Sequence, residues 1–260
     1  MLREEFHLLT QRKTPLLSIS MAQSKAEVRA AQRLRYQVFV EEMGARLPGT
    51  QRALDSRIDP HLDQDQFDPY CEHLLVRDNR SGAVVGTYRL LSPKMAQRIG
   101  GYYAETEFDL TRLSHLHDGL VEVGRACVHP HYRNGATIGL LWSGVFQYMQ
   151  QMGYAYLIGC ASIGMQDGGH SAASIYRRLS QEHLSPREWR VFPRNRLPLE
   201  ALNSTLNAPL PPLLKGYMRL GCFICGEPAW DTDFNSADLL LLLPLSLMNK
   251  TYARHYLDQT

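Results

Sequence analysis

The chain has no apolar run able to span a bilayer. The longest, LLLLLPLSLM at 239–248, is about half of the ~20 residues a spanning helix needs, and Pro244 interrupts it, so it reads as a buried strand and its exit. The opening MLREEFHLLTQRK carries acids and bases where a secretory signal needs a continuous apolar core, so a cytoplasmic location is expected. Net charge is only +2 over 260 residues, too little to point to nucleic acid, and an electrostatic partner must be sought in a local patch. There is no internal repeat, no nucleophile elbow and no phosphate-binding loop of the nucleotide-hydrolase kind. Five cysteines without an export signal read as reduced thiols. Cys222 and Cys225 have C-x-x-C spacing, but neither a second pair nor a His partner completes a zinc site, and both are assigned to packing.

What is present is an ordinary globular composition, 44% hydrophobic and 21% charged, long enough to bury a large core. The stretch 121–141 organises it. Val121, Val123, Arg125 and Cys127 alternate with Glu122, Gly124, Ala126 and Val128, the period of a strand. After His129-Pro130 the period becomes helical through Ile138, Leu141, Trp142, Val145, Met149 and Met152, with Asn134 expected as N-cap and Gly153 as the stop. A strand running into a helix N-terminus is a prepared anion site, so Val128, Arg133, Asn134, Gly135, Ala136 and Thr137 either hold a phosphate or form a merely structural turn.

Around this centre, residues 16–22 read as a first strand and Ser24 as the cap of a helix carrying Leu34, Arg35, Val38 and Phe39. Residues 44–69 read as a long irregular loop. Residues 72–78 and 83–91 form an expected hairpin, 102–117 an insertion, 154–160 a buried strand, 171–179 a short helix, 210–220 a helix and 238–243 the last core strand. Arg177, Arg178, Arg187, Arg190, Arg194, Arg196, Lys215 and Arg219 make 177–219 a local basic surface. It reads either as a solvated face or as a dock for an acidic protein or an anionic membrane.

Glu122 and Arg125 are three apart, so strict alternation puts them on opposite faces, whereas a bulge would bring both to one cleft. Glu122 is then a candidate proton acceptor for an attacking ammonium, or merely the partner of a nearby Arg. Asp65 and Asp68, with Asp63 just before, suit a cationic substrate but lack the pattern of a calcium loop. The pairs His115/His117 and His129/His131 lack a third ligand at telling spacing, and no metal is assigned.

Six blocks resemble the ornithine N-acyltransferases that begin ornithine-lipid synthesis, members of the GNAT-like acyltransferases: LRYQVFVEEMG (34–44), DQDQFDPYCEHLLV (63–76), VVGTYRLL (84–91), EVGRACVHPHYRNGATIGLLW (122–142), YLIGCAS (156–162) and PPLLKGYMRLG (211–221). The likeness extends over roughly 28–245. More loosely the blocks are similar to acyl-homoserine-lactone synthases, whose patterns Arg35, Phe39, Asp65, Asp68, Arg89, Glu122 and Arg125 match. The turn departs from the coenzyme A pattern, with Gly135 one position early and Ile138 where a small residue belongs, so a single phosphate on a carrier-protein arm fits it better.

The resemblance implies a single α/β domain over 15–250 with a mixed, mostly antiparallel sheet, a 1–14 extension and a 251–260 tail. It implies transfer of a 3-hydroxylated fatty acyl group from acyl carrier protein to the α-amine of ornithine, without cofactor or metal, with peripheral contact to the inner face of the membrane. Glu122 and Arg125 would be catalytic, Asp65 and Asp68 would hold the side-chain ammonium, and Arg35, Arg89 or Arg125 the carboxylate. Backbone N–H groups at Ala126 to Val128 would meet the oxyanion, Cys127 would pack, and strand 154–160 would line the acyl tunnel. Another amino-acid acceptor, a signal synthase using S-adenosylmethionine, and a silent carrier-protein or membrane-binding module remain the alternatives.

Overall fold

The computed structural model describes residues 15–45 and 59–256. One sheet runs in the order β1 (Leu17–Met21), β2 (Glu72–Asp78), β3 (Val84–Leu91), β5 (Leu120–Val128), β6 (Tyr156–Gly164), β10 (Ser236–Pro244) and β8 (Phe223–Ile224), with β9 (Ala229–Asp231) also on β10. All neighbours are antiparallel except β5 and β6, which are parallel. This is the mixed, mostly antiparallel α/β domain expected. A small ribbon of β4 (Phe108–Asp109) and β7 (Phe192–Pro193) stands apart.

The leucine run of β10 is apolar at consecutive positions because both sheet faces are covered. Leu239, Leu241 and Leu243 join Leu74, Val121 and Met149 in one core cluster, which includes residues of helix α3 (Ala136–Met152). Leu240 and Leu242 join Leu91, Leu120 and Ile158 in a second. Helix α1 (Lys25–Tyr36) starts at Ser24, whose side chain accepts the Glu27 N–H, and continues into a π-helix at Gln37–Glu42.

The reading of the sequence needs adjusting at several elements. α3 begins at Ala136, not at Asn134; its cap is Gly135 at φ 89°, a left-handed conformation that favours glycine. The last strand runs from Ser236, two residues earlier than expected, and the fourth helix, α4, spans His170–His183. The insertion at 102–117 is chiefly 3-10 turns. Helix α2 (Pro93–Ile99), capped by Ser92, had no reading from the sequence. Helix α5 is Pro212–Leu220. Helix α6 (Lys250–Tyr256) crosses the expected boundary at 250, and Tyr256 meets Trp142 and Phe146 ring to ring. The 1–14 extension lies outside the described residues, as does much of the 44–69 loop.

Candidate active site

β5 and β6 are hydrogen-bonded for only three residues, Leu120–Glu122 against Tyr156–Ile158. Gly159 follows at the point of parting, where a Cβ would lie 2.5 Å from the Val123 carbonyl oxygen, so only glycine lets the strands approach there. Beyond it both strands line a cavity of about 680 Å³, with Ala126 and Val128 on one side and Cys160 and Ser162 on the other. That volume suits a small-molecule site.

A bulge resolves the Glu122 and Arg125 question. On β3, Thr87 pairs with Cys127 and Arg89 with Gly124, so Arg125 and Ala126 together oppose Tyr88 alone. Arg125 takes φ 53°, a left-handed conformation rare for a side chain of its size. Glu122 and Arg125 therefore face one cavity.

Glu122 is 5% exposed and accepts the Tyr103 N–H at one carboxylate oxygen and the Ala104 N–H at the other, each at 2.7 Å. Burial pushes its carboxyl up to about 7, although these N–H groups and the Arg89 charge pull the other way. A carboxylate held there exchanges protons near neutral pH, as a general base must.

A neutralised network adjoins the cavity and reaches its lining through Arg89 and Arg125. Arg35 is fully buried, with Nε on Asp63 at 2.7 Å, Nη1 on Asp68 at 2.9 Å and Nη2 on the Asp63 carbonyl at 2.6 Å. Arg89 donates to Asp65 at 2.7 Å and Asp68 at 2.9 Å and lies over the Phe67 ring. Arg125 reaches Asp65 at 3.3 Å and packs against the Tyr103 and Phe234 rings. Its Nε stands 3.5 Å from Asp63 and has no hydrogen-bond acceptor. Burial pushes the Asp68 carboxyl up, but the Arg35 and Arg89 guanidinium groups outweigh it and hold it well below the usual carboxylate range.

Of the residues singled out in the sequence, Phe39, Arg89, Glu122, Arg125, Val128, Arg133 and Gly135 line the cavity. Arg35, Asp65, Asp68, Asn134, Ala136 and Thr137 do not. The reading of Asp65 and Asp68 as a free pair for a cationic substrate is corrected, because arginines already occupy them, and Arg35 is likewise committed. Thr137 is fully buried and donates to the Tyr132 carbonyl, and the Ala136 N–H is taken by Asn134 Oδ1, so neither the Thr137 hydroxyl nor that N–H is left for a phosphate. Arg133 is held by both oxygens of Glu42 at 2.6 Å.

Strand 154–160 meets the cavity only at Cys160; the lining continues through Ala161 and Ser162. Cys127 is buried, and burial pushes its thiol well up, away from nucleophilic use. Cys222 and Cys225 pack in the core as free thiols. His129 and His131 pack against each other with tilted rings in the turn before α3.

Among the cavity residues that escaped sequence reading are Tyr103, Asp231, Phe234, Ser236 and Asp238. The signal available was Asp238, an acid opening a strand otherwise made of leucines. Of the basic surface, Arg178, Arg190 and Arg194 are turned onto backbone carbonyls and Arg196 onto Glu227. Lys215 and Arg219 are exposed on α5, whose Leu213, Leu214 and Tyr217 line the cavity. Among the described residues no helix is long and apolar enough to cross a membrane.

Residues 34–143 match the model of the acetyltransferase (GNAT) domain. Among solved structures, FeeM, an N-acyl amino acid synthase from uncultured soil microbes, superposes with TM-score 0.52 at 13% identity, covering 90% of this chain and 96% of that one. The AHL synthase LasI superposes with TM-score 0.50 at 13% identity over 92% and 94%. Both likenesses concern the fold. In sequence, the chain is 39% identical to the L-ornithine N(alpha)-acyltransferase of Agrobacterium fabrum, covering 92% of this chain and 85% of that protein. It is 38% identical to that of Rhizobium meliloti (92% and 84%) and 35% identical to that of Brucella abortus (92% and 88%). With the GNAT domain and a buried carboxylate facing the cleft between the parted strands, the chain is an N-acyltransferase and belongs to the L-ornithine N(alpha)-acyltransferase family.

Proposed function

We propose that the chain transfers a fatty acyl group from the thioester of acyl carrier protein to the α-amine of L-ornithine, giving lyso-ornithine lipid. The observation that carries this reading is Glu122: a buried carboxylate with its proton affinity raised to about 7, facing the cavity between β5 and β6. An amino acid at neutral pH arrives as an ammonium and must lose a proton before it can attack. Glu122 takes that proton, directly or through a water. The amine attacks the thioester carbonyl, and backbone N–H groups near Ala126 to Val128 receive the oxyanion, a contribution of ~3 kcal/mol per donor. The C–N bond forms, the C–S bond breaks and the pantetheine thiol leaves with a proton.

Arg125, which lines the cavity and is held only by long contacts to Asp63 and Asp65, is suited to the acceptor's carboxylate. The turn from Val128 to Gly135 is suited to the phosphodiester of the carrier arm, which must then compete with Glu42 for Arg133. Lys215 and Arg219, one turn apart on α5, present positive charge beside cavity-lining residues and are suited to an acidic carrier protein.

The test is an assay of purified protein with 3-hydroxyacyl carrier protein and a panel of free amino acids, following thiol release and product mass. Acylated ornithine is the expected product. Thiol release with S-adenosylmethionine instead would make the chain a signal synthase, and silence with every acceptor would reduce it to a binding module.

A further inference from the structure

Glu122, Cys160 and Asp238 stand on one face of the sheet. Glu122 is level with Ile158 on β6; Cys160 is two residues on, and Ser162, two further, pairs with Asp238. Asp231 pairs with Ser236, two residues before Asp238, so it shares that face. Asp231 and Asp238 line the cavity and are 7% and 3% exposed.

Their partners are neutral. Asp238 accepts the Ser236 hydroxyl at 2.8 Å, and Asp231 accepts the N–H groups of Asp233 and Phe234. Neither forms an ion pair with a described residue; Arg125, the nearby cation, is turned to Asp63 and Asp65. Burial and neighbouring Asp231 push Asp238 up to about 6, despite the hydroxyl of Ser236. Burial, Asp231 and Asp238 push Glu107 up to about 7. Buried negative charge without a cation is costly, and a fold that keeps it inside a substrate cavity leaves the cation to the substrate. A second group points the same way: Arg125 lines the same cavity and is held only at 3.3 Å by Asp65 and 3.5 Å by Asp63. An amine at Glu122, a carboxylate at Arg125 and a second cation at Asp238 together describe a diamino acid.

We propose that Asp238, assisted by Asp231, binds the distal ammonium of the acceptor and makes the site select a diamino acid over a neutral one of the same length. The inference rests on the reading of the chain as an amino-acid N-acyltransferase. It is tested by steady-state kinetics with acyl carrier protein donor and either ornithine or norvaline, which has the same carbon chain without the δ-amine. The wild type is expected to prefer ornithine by at least ~100-fold in kcat/KM, the scale of a lost charged hydrogen bond in a buried site. Asp238→Asn, checked for its circular dichroism melt, is expected to raise the ornithine KM at least ~10-fold with kcat within ~3-fold, and to shrink the preference accordingly. Equal use of norvaline and ornithine by the wild type overturns the inference without any variant and leaves the acyltransferase reading intact. An undiminished preference in folded Asp238→Asn also overturns it. A wild type that acylates neither amino acid overturns the acyltransferase reading itself, and the inference with it.

Discussion

On the α1 side of the cavity Arg35, Arg89 and Arg125 meet Asp63, Asp65 and Asp68, charge for charge; on the β9–β10 side Asp231 and Asp238 meet hydroxyl and N–H groups alone. Both sets are buried, yet their electrostatics run opposite ways. In the first, guanidinium groups hold Asp68 far down; in the second, burial raises Asp238. The difference separates charge that builds the site from charge left open to a substrate. The neutral network fixes Arg89 and Arg125 behind Glu122, so the strained bulge at Arg125 is kept in place from both sides.

The sharpest contrast is chemical. Glu122→Gln keeps the shape but loses the proton acceptor and one of the two backbone hydrogen bonds, because its amide nitrogen cannot accept an N–H; turnover is expected to fall by ~10²–10⁴ with the fold retained, read by steady-state kinetics and a thermal melt. Arg35→Met leaves buried Asp68 with Arg89 alone and buried Asp63 with only the longer contact to Arg125, and urea unfolding is expected to show a loss of ~3–5 kcal/mol. Asp68→Asn removes the carboxylate that Arg35 and Arg89 share, leaving Arg35 to Asp63 and Arg89 to Asp65. Because the native Asp68 carboxyl is depressed, its contribution is complete above the ordinary carboxylate range, ~pH 4, and is lost as pH falls through the lower native value.

Asp238→Asn is expected to change stability with the opposite sign. Its carboxyl is raised to about 6, so its burial costs nothing at low pH, costs increasingly above ~pH 4 and most beyond pH 6. The variant should therefore be more stable than the wild type at pH 8, by on the order of 1 kcal/mol, and equal to it at pH 4. Equal losses from Asp68→Asn and Asp238→Asn at pH 8 would erase the distinction between the two sets. The smallest effect expected is at the surface: Lys215→Glu with Arg219→Glu should raise the KM for carrier protein ~10-fold at low salt and little at 0.5 M salt, leaving the ornithine KM unchanged.

The sequence displayed the fold well because its main signals are periodic. The change from alternation to helical spacing at 121–152 and the hairpin at 72–91 report burial directly, and the structure follows them closely. Helix α2 is only seven residues long, too short for its period to stand out. The site was half legible. Asp65 and Asp68 stand out by their close spacing and Arg35 and Arg89 by the family patterns they match, but neither signal can tell that they would consume one another. Asp231 and Asp238 are distant from Glu122 in the chain; Asp231 lies in a segment that had no reading from the sequence, and Asp238 opens one that reads as core. Only the register of β10 against β6 carries them to the cavity.

The most direct measurement is kcat/KM for acyl carrier protein and ornithine as a function of pH, in the wild type and in Glu122→Gln. A base raised to about 7 requires activity that climbs tenfold per pH unit below pH 7 and levels above it, with the limb absent and the rate at least ~100-fold lower in the variant. A flat wild-type profile across that range, or a variant within a few-fold of wild type, would remove Glu122 as the proton acceptor and contradict the account.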